Sequence, residues 1–271
     1  MEILSESLVT ALNTPRCNSC NMVAAWGRPG GVGLGAVTYL KEELGATELG
    51  EIEPYGFFDL PMPVREGVIQ EEELPQSKFY YWENDEGDDL ILFIADAEPL
   101  HRKYEYVGAI LQVAEAFGAK RIYAVCGIAG PGIEPVPPNV YGAVNDAALE
   151  ELLEHHHVLP LDTVDLSRTM LRDDGTVTRE ATKRLTSMNA LLLGLAGKRG
   201  LQGVYLLAEM PYYAMKAANP DSSKAILDVL MMVLDFRIDM SGIDGVVVRK
   251  AMAKWKRVTR ARLPEARNRA F

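Results

Sequence analysis

The chain has 271 residues, 48% of them hydrophobic and 24% charged. That length holds a large α/β domain with room for an appendage, and the composition is that of an ordinary globular protein. Collagen, coiled coil and wholesale disorder are excluded. Lys and Arg number 28 and Asp and Glu 38, so the formal charge is −10. Such a chain repels polyphosphates unless its cations are clustered, and no nucleic-acid partner is expected. The charge is uneven: residues 249–271 carry nine Lys/Arg and one Glu, leaving −18 on the rest. Three cysteines, Cys17, Cys20 and Cys126, are too few for a secreted disulfide scaffold. The opening residues lack a basic stretch followed by a long apolar run, so no secretory leader is expected. No apolar run reaches the roughly 18 residues of a membrane span. The expectation is a cytoplasmic protein with no membrane partner.

In chain order, residues 21–26 read as a short buried strand, followed by the turn GRPGGVGLG. A helix over 36–44 closes at Gly45, and ATELGEIE supplies a further strand, so this stretch reads as a βαβ unit. Residues 54–77, rich in proline and glutamate, form an excursion from the sheet. KFYYWE (78–83) has the aromatic content of a strand, and LILFIAD (90–96) is the continuous apolar run of a strand buried on both faces. A helix is predicted over Leu100–Phe117, closed by Gly118, and a buried strand over 121–127. Residues 127–142, with four prolines and four glycines, read as a long irregular loop at a strand end, where α/β sheets place sites.

NDAALEELLEHHH reads as a helix, LPLDTVDL as a candidate strand, and 170–184 as polar and irregular. A buried helix over 187–198 is capped near Ser187, and GVYLLAEMP (203–211) is a strand stopped by proline. Ser222 or Ser223 is expected to cap the next helix, which is apolar nearly all round and so needs covering, inside the fold or by another subunit. A last, basic helix is predicted from Gly242 to Ala261. Alternating buried strands and helices predict an α/β fold with three layers about a mostly parallel or mixed sheet. The expected division is a single α/β domain over 1–240 and a basic helix and tail over 241–271.

Several constellations are candidates for chemistry. Gly30, Gly31 and Gly33 precede a helix, and Gly31-Val32-Gly33 with Ala36 fits the G-x-G-x-x-A pattern. Two readings stay open: a backbone cradle for phosphate or carboxylate, or a tight turn in which glycine lets the helix pack closely. Glu98 and Glu209 each follow a buried strand and precede or approach a proline. They are either an acid/base pair facing one cleft or parts of two structural loops. Cys17-x-x-Cys20 lacks the second pair that a zinc site needs, and Cys126 reads as a buried thiol, so neither metal nor cofactor is expected. The consecutive His155, His156 and His157 splay around a helix and cannot all reach one ion. Lys254, Trp255, Lys256 and Arg257, with the terminal Phe271, are partner-binding candidates. They are equally a solvated helix face balancing an acidic body.

The motifs recur in a recognisable order: VAAWGRPGGVGLGAVTYLKEELGA, YGFFD, ILFIADAEP, PPNVYGAVNDAALEELL, ALLLGLAGKRGLQGVYLLAEMPYY and NPDSSKAILDVLMMVLDFRID. Over about residues 20–240 the chain resembles the proteasome assembly chaperone 2 family. The resemblance implies a single α/β domain with a fold like nucleoside phosphorylases and related hydrolases, self-association, and assembly-chaperone activity. It brings no catalytic residue set. It departs from the hydrophobic–tyrosine–any tail of some assembly chaperones: the chain ends Arg269-Ala270-Phe271. The expected function is a non-enzymatic protein that forms a homo-oligomer and engages protein subunits of the proteasome type. The alternative is a phosphorylase- or hydrolase-like enzyme holding phosphate or a nucleotide-like molecule at the glycine turn.

Overall fold

The computed structural model describes residues 9–11, 19–27, 29–59, 62–70, 73–130, 137–164, 185 and 187–245. Its strands are β1 (Val9–Ala11), β2 (Cys20–Trp26), β3 (Thr47–Ile52), β4 (Val64–Arg65), β5 (Val68–Ile69), β6 (Ser77–Trp82), β7 (Asp89–Ala95), β8 (Ala119–Gly130), β9 (Val140–Val144), β10 (Leu159–Pro160) and β11 (Gln202–Pro211). Its helices are α1 (Val32–Glu43), α2 (Lys103–Ala116), α3 (Glu150–His155), α4 (Met188–Lys198) and α5 (Pro220–Leu234).

Among the described residues, nine strands form a sheet in the order β1-β3-β6-β7-β2-β8-β11-β9-β10. The central four, β7, β2, β8 and β11, run parallel. Antiparallel pairings add β6, β3 and β1 on one flank and β9 on the other. Sequence explains the division. Every residue of β2 and β7 is buried, as an apolar run between two helical layers requires, whereas β6 alternates buried and half-buried side chains nearer the sheet edge. The expected βαβ unit is only half right. Between β2 and β3 the chain crosses over through α1, but β6 and β7 later insert between them.

Helices cover both faces. On one, Met22, Phe93, Cys126 and Tyr205 pack against Ile110 of α2 and Leu192 of α4. On the other, Val23, Leu92, Val125 and Leu206 pack against Val37 of α1 and Ile226 and Leu230 of α5. α5 is therefore covered from inside, with only Met232 of its large apolar residues exposed. No second subunit is needed to explain its composition.

The structure corrects several boundaries. α1 begins at Val32, earlier than expected, because its glycines lie within the first turn. The 127–142 stretch is not wholly irregular. β8 runs on to Gly130, pairing with Pro211, and β9 starts at Val140, pairing with Ala208. Of the expected strand at 159–166, Leu159 and Pro160 are the described residues that pair with β9, before a 3-10 turn over Leu161–Thr163. Ser222 and Ser223 do not cap α5, which starts two residues earlier behind Asn219. The polar stretch 170–184 and the predicted basic helix beyond residue 245 lie outside the described residues.

Candidate functional site at the carboxyl edge of the sheet

The parallel strands β2, β7, β8 and β11 end along one edge, and the candidate residues of the body gather there. The glycine turn leaves β2. Gly30 and Gly31 take φ values of 75° and 59°, a left-handed region that costs other residues strain. Gly33 places its α-carbon against β8, where a Cβ would overlap the Val125 carbonyl oxygen and stand 2.9 Å from its carbon. A Cβ at Gly30 would collide with the Met210 sulfur of β11. Asn219 then closes the turn from the start of α5. Its Nδ2 lies 3.2 Å from the Gly30 carbonyl and 3.0 Å from those of Ala214 and Ala217. The Ser223 hydroxyl donates to the Val32 carbonyl at 2.9 Å. Close approach at Gly30 and Gly33, and the left-handed angle at Gly31, account for these glycines without any ligand.

Glu209 sits on β11, 5% exposed, on the face shared by Tyr205 and Leu207. Its Oε2 accepts from Asn139 Nδ2 at 2.9 Å and from the Tyr141 hydroxyl at 3.2 Å. Burial, then the Glu209 charge, pushes the Tyr141 hydroxyl above its ordinary pKa, so it remains a donor. The carboxylate lies across Gly130, where a Cβ would overlap it. The backbone carbonyl of Glu209 accepts from Ser222 Oγ at 2.7 Å. Glu209 thus joins β9, β11 and α5.

Glu98, beyond β7, accepts from the backbone N–H of Met188 at 3.4 Å, at the amino terminus of α4 where a carboxylate is favoured. The two glutamates share an edge and a face, but β2 and β8 lie between their strands. Three strand spacings separate β7 from β11, about 14 Å. Each carboxylate has its own structural partners.

Between them lies a small polar cluster that sequence reasoning did not single out. Cys126 Sγ stands 3.2 Å from the Tyr205 hydroxyl, which is 3.1 Å from the Ser187 hydroxyl. Burial, then the neighbouring thiol, raises the Tyr205 pKa well above its ordinary value and keeps the ring neutral. Ser187 meanwhile caps α4 as expected, accepting from Ala190 N at 3.2 Å. Cys20 is buried and donates to the Phe117 carbonyl at 3.2 Å, while Cys17 lies outside the described residues. Among the described residues no cluster of three or more His, Cys, Asp or Glu side chains is arranged to hold a metal. His155, His156 and His157 end α3, with the first two rings edge to face at 5.1 Å.

Two cavities open near this edge. One, of about 460 Å³, lies between Pro137, Pro211 and the first turns of α5. The other, of about 640 Å³, lies beyond β3 between residues 51–55 and 73–76. Beside the second, the β4–β5 hairpin exposes Val64, Val68 and Ile69. Sequence reading marked this excursion but not its apolar surface. Lys254, Trp255, Lys256, Arg257 and Phe271 lie outside the described residues.

A model of the PAC2 family matches residues 22–246. The chain belongs to the PAC2 family. No curated protein matches it significantly. Among solved PAC2-like structures, Pyrococcus furiosus PbaB, an archaeal proteasome activator, superposes with a TM-score of 0.68 at 24% identity, over 93% of this chain and 98% of PbaB. P. furiosus PbaA, an archaeal homologue of proteasome-assembly chaperone, gives 0.66 at 19% identity, over 94% of this chain and 100% of PbaA. A Mycobacterium tuberculosis proteasome-assembly chaperone homologue gives 0.63 at 18% identity, over 90% and 96%. At these identities the structures show a shared PAC2 fold. No helix among the described residues is long and apolar enough to cross a membrane.

Proposed function

We propose that this PAC2-family chain is a non-enzymatic, self-associating protein that binds proteasome-type subunits and assists their assembly or activation. The observation that carries the reading is the end-to-end likeness to PbaB, which leaves almost no part of either chain unmatched. The carboxyl edge is consistent with it. The glycine turn, Glu98 and Glu209 all have structural work that ties strands to helices. Exposed side chains supply contact surface instead, among them Tyr55, Tyr104 and Tyr213, each at least 70% exposed. Tyrosine offers large contact area at low conformational-entropy cost, and it is enriched at interfaces.

The test is co-sedimentation of the full chain with the proteasome core particle from the same organism. Binding at about 10 μM or below is expected. Replacing Tyr104 and Tyr213 by Ala should weaken it. Absence of co-sedimentation at that concentration, with the chain folded, overturns the reading.

A further inference from the structure

We propose that the acidic, apolar face built by residues 51–59, 62–70 and 73–76 is the docking site for the basic segment 249–271 of the same molecule. This goes beyond the proteasome-type reading and stands or falls separately from it. The face has two properties that rarely coincide. It is strongly acidic: its described residues include Glu51, Glu53, Asp59, Glu66 and Glu73 against one arginine, Arg65, a balance of −4. That is more than a fifth of the −18 carried outside the basic segment, in about a tenth of its length. It is also apolar and open: Tyr55 is 71% exposed, Ile69 67% and Val64 65%. The cavity of about 640 Å³ joins these properties, with Glu51, Glu53 and Glu73 on the same walls as Tyr55 and Met62. Exposed apolar side chains on a hairpin that springs from a carboxylate-lined cavity mark an interaction site, and the charge selects a cationic occupant.

Charge identifies that occupant. A second copy presenting the same face would set −4 against −4. Residues 249–271 carry +8 and also bring Met252, Trp255, Val258, Leu263 and Phe271. Long cationic stems and an indole cover apolar ground while their charges meet carboxylates. The reach is short enough. Gly242 donates to the Tyr39 hydroxyl at 3.2 Å, at the last turns of α1. From there the chain enters β3, whose six residues end at the cavity, about 20 Å away. Twenty-three residues span about 35 Å even at helical rise.

Zero-length carbodiimide coupling on the full chain, read by mass spectrometry, tests this directly. Lys250, Lys254 and Lys256 should couple to carboxylates within 51–76. The Lys78–Glu48 pair, 3.0 Å apart, serves as an internal control of coupling. Yield should fall roughly threefold or more between about 0.1 M and 1 M salt, as the Debye length shrinks from ~10 to ~3 Å. Glu53→Lys and Ile69→Lys should each lower it, leaving the Lys78–Glu48 link and the melting temperature unchanged. A mixture of isotopically light and heavy chains should give links within one isotope only. Three results would overturn the proposal: links from these lysines to carboxylates elsewhere, no links while the control forms, or links that join light to heavy chains. None of these outcomes depends on whether the chain co-sediments with a proteasome particle.

Discussion

Gly33 of α1 rests its α-carbon directly on the Val125 carbonyl of β8. Nothing in the backbone angles of Gly33 demands glycine, so the demand is one of space. A helical Gly→Ala exchange normally gains up to about 1 kcal/mol from helix propensity. Here the methyl group meets backbone, which cannot rotate away, and overpacking of this sort costs about 1–3 kcal/mol or more. Gly33→Ala should therefore lower the unfolding midpoint in denaturant. Gly194 of α4 provides the contrast, since a Cβ there meets nothing within 4 Å. Gly194→Ala should raise the midpoint, from a gain of up to about 1 kcal/mol in unfolding free energy. If Gly33→Ala stabilises as well, α1 is not packed as described.

Asn219 closes the same turn from the far end of the chain. Its amide serves the carbonyls of Gly30, Ala214 and Ala217, and it is 8% exposed. Asn219→Leu removes the donors and leaves buried acceptors without them, a change worth about 1–3 kcal/mol. Chemical denaturation should report that loss. Chymotryptic cleavage at the exposed Tyr212 and Tyr213 should accelerate, because Asn219 also holds the 3-10 turn that follows β11. Cleavage at the wild-type rate would separate the turn from Asn219.

Asp88 ties together the amino-terminal ends of three central strands. The Ser19 hydroxyl donates to it, Asn21 Nδ2 donates at 3.2 Å, and Lys120 Nζ lies 3.0 Å away. The Ser19 bond first, then Lys120 and Asn21, holds its carboxyl below the usual carboxylate range. A depressed folded-state pKa contributes stability that is present above the unfolded value, near 3.9, and is lost as pH falls through the lower folded value. Wild-type stability should thus decline below about pH 4 more steeply than that of Asp88→Asn. Melting temperatures from pH 7 down to 2 would show it. Parallel curves for the two proteins would mean that Asp88 contributes nothing to the acid limb.

The buried strands were legible because their apolar runs are long: residues 20–26, 89–95 and 202–210 leave little choice of environment. What proline and glycine carry was not legible. Local chemistry argues against strands in 127–142, yet Gly130 and Val140 both join the ladder because β11 offers them partners from elsewhere in the chain. The start of α1 was hidden for a similar reason, since Gly33 in its first turn answers to Val125, and Gly30 just before it to Met210, rather than to helix propensity. Glu98 and Glu209 fell at strand ends as read. Their partners Met188, Asn139 and Tyr141 are tertiary neighbours that no local pattern announces. Ser222 and Ser223 looked like caps because serine commonly is one, but both hydroxyls bridge to other elements.

Self-association is the remaining expectation with a direct measurement. The body hides α5, so a subunit contact has to use side chains that the fold leaves outside, among them Val64, Val68 and Ile69 of the hairpin, Tyr212 and Tyr213 after β11, and Leu100 and Tyr104 at the start of α2. If segment 249–271 occupies the hairpin face, the Leu100–Tyr104 rim, an exposed leucine beside an exposed tyrosine, is the surface expected to take a second copy. Light scattering at about 10 μM should then give a mass above one chain. Leu100→Glu with Tyr104→Ala should return the mass of a monomer, whereas Ile69→Asp should leave the oligomer intact. A monomer in the wild type removes self-association from the proposed function. An oligomer that survives the rim variant but falls apart with Ile69→Asp would give the hairpin to the second copy, and it would contradict the docking of the basic segment there.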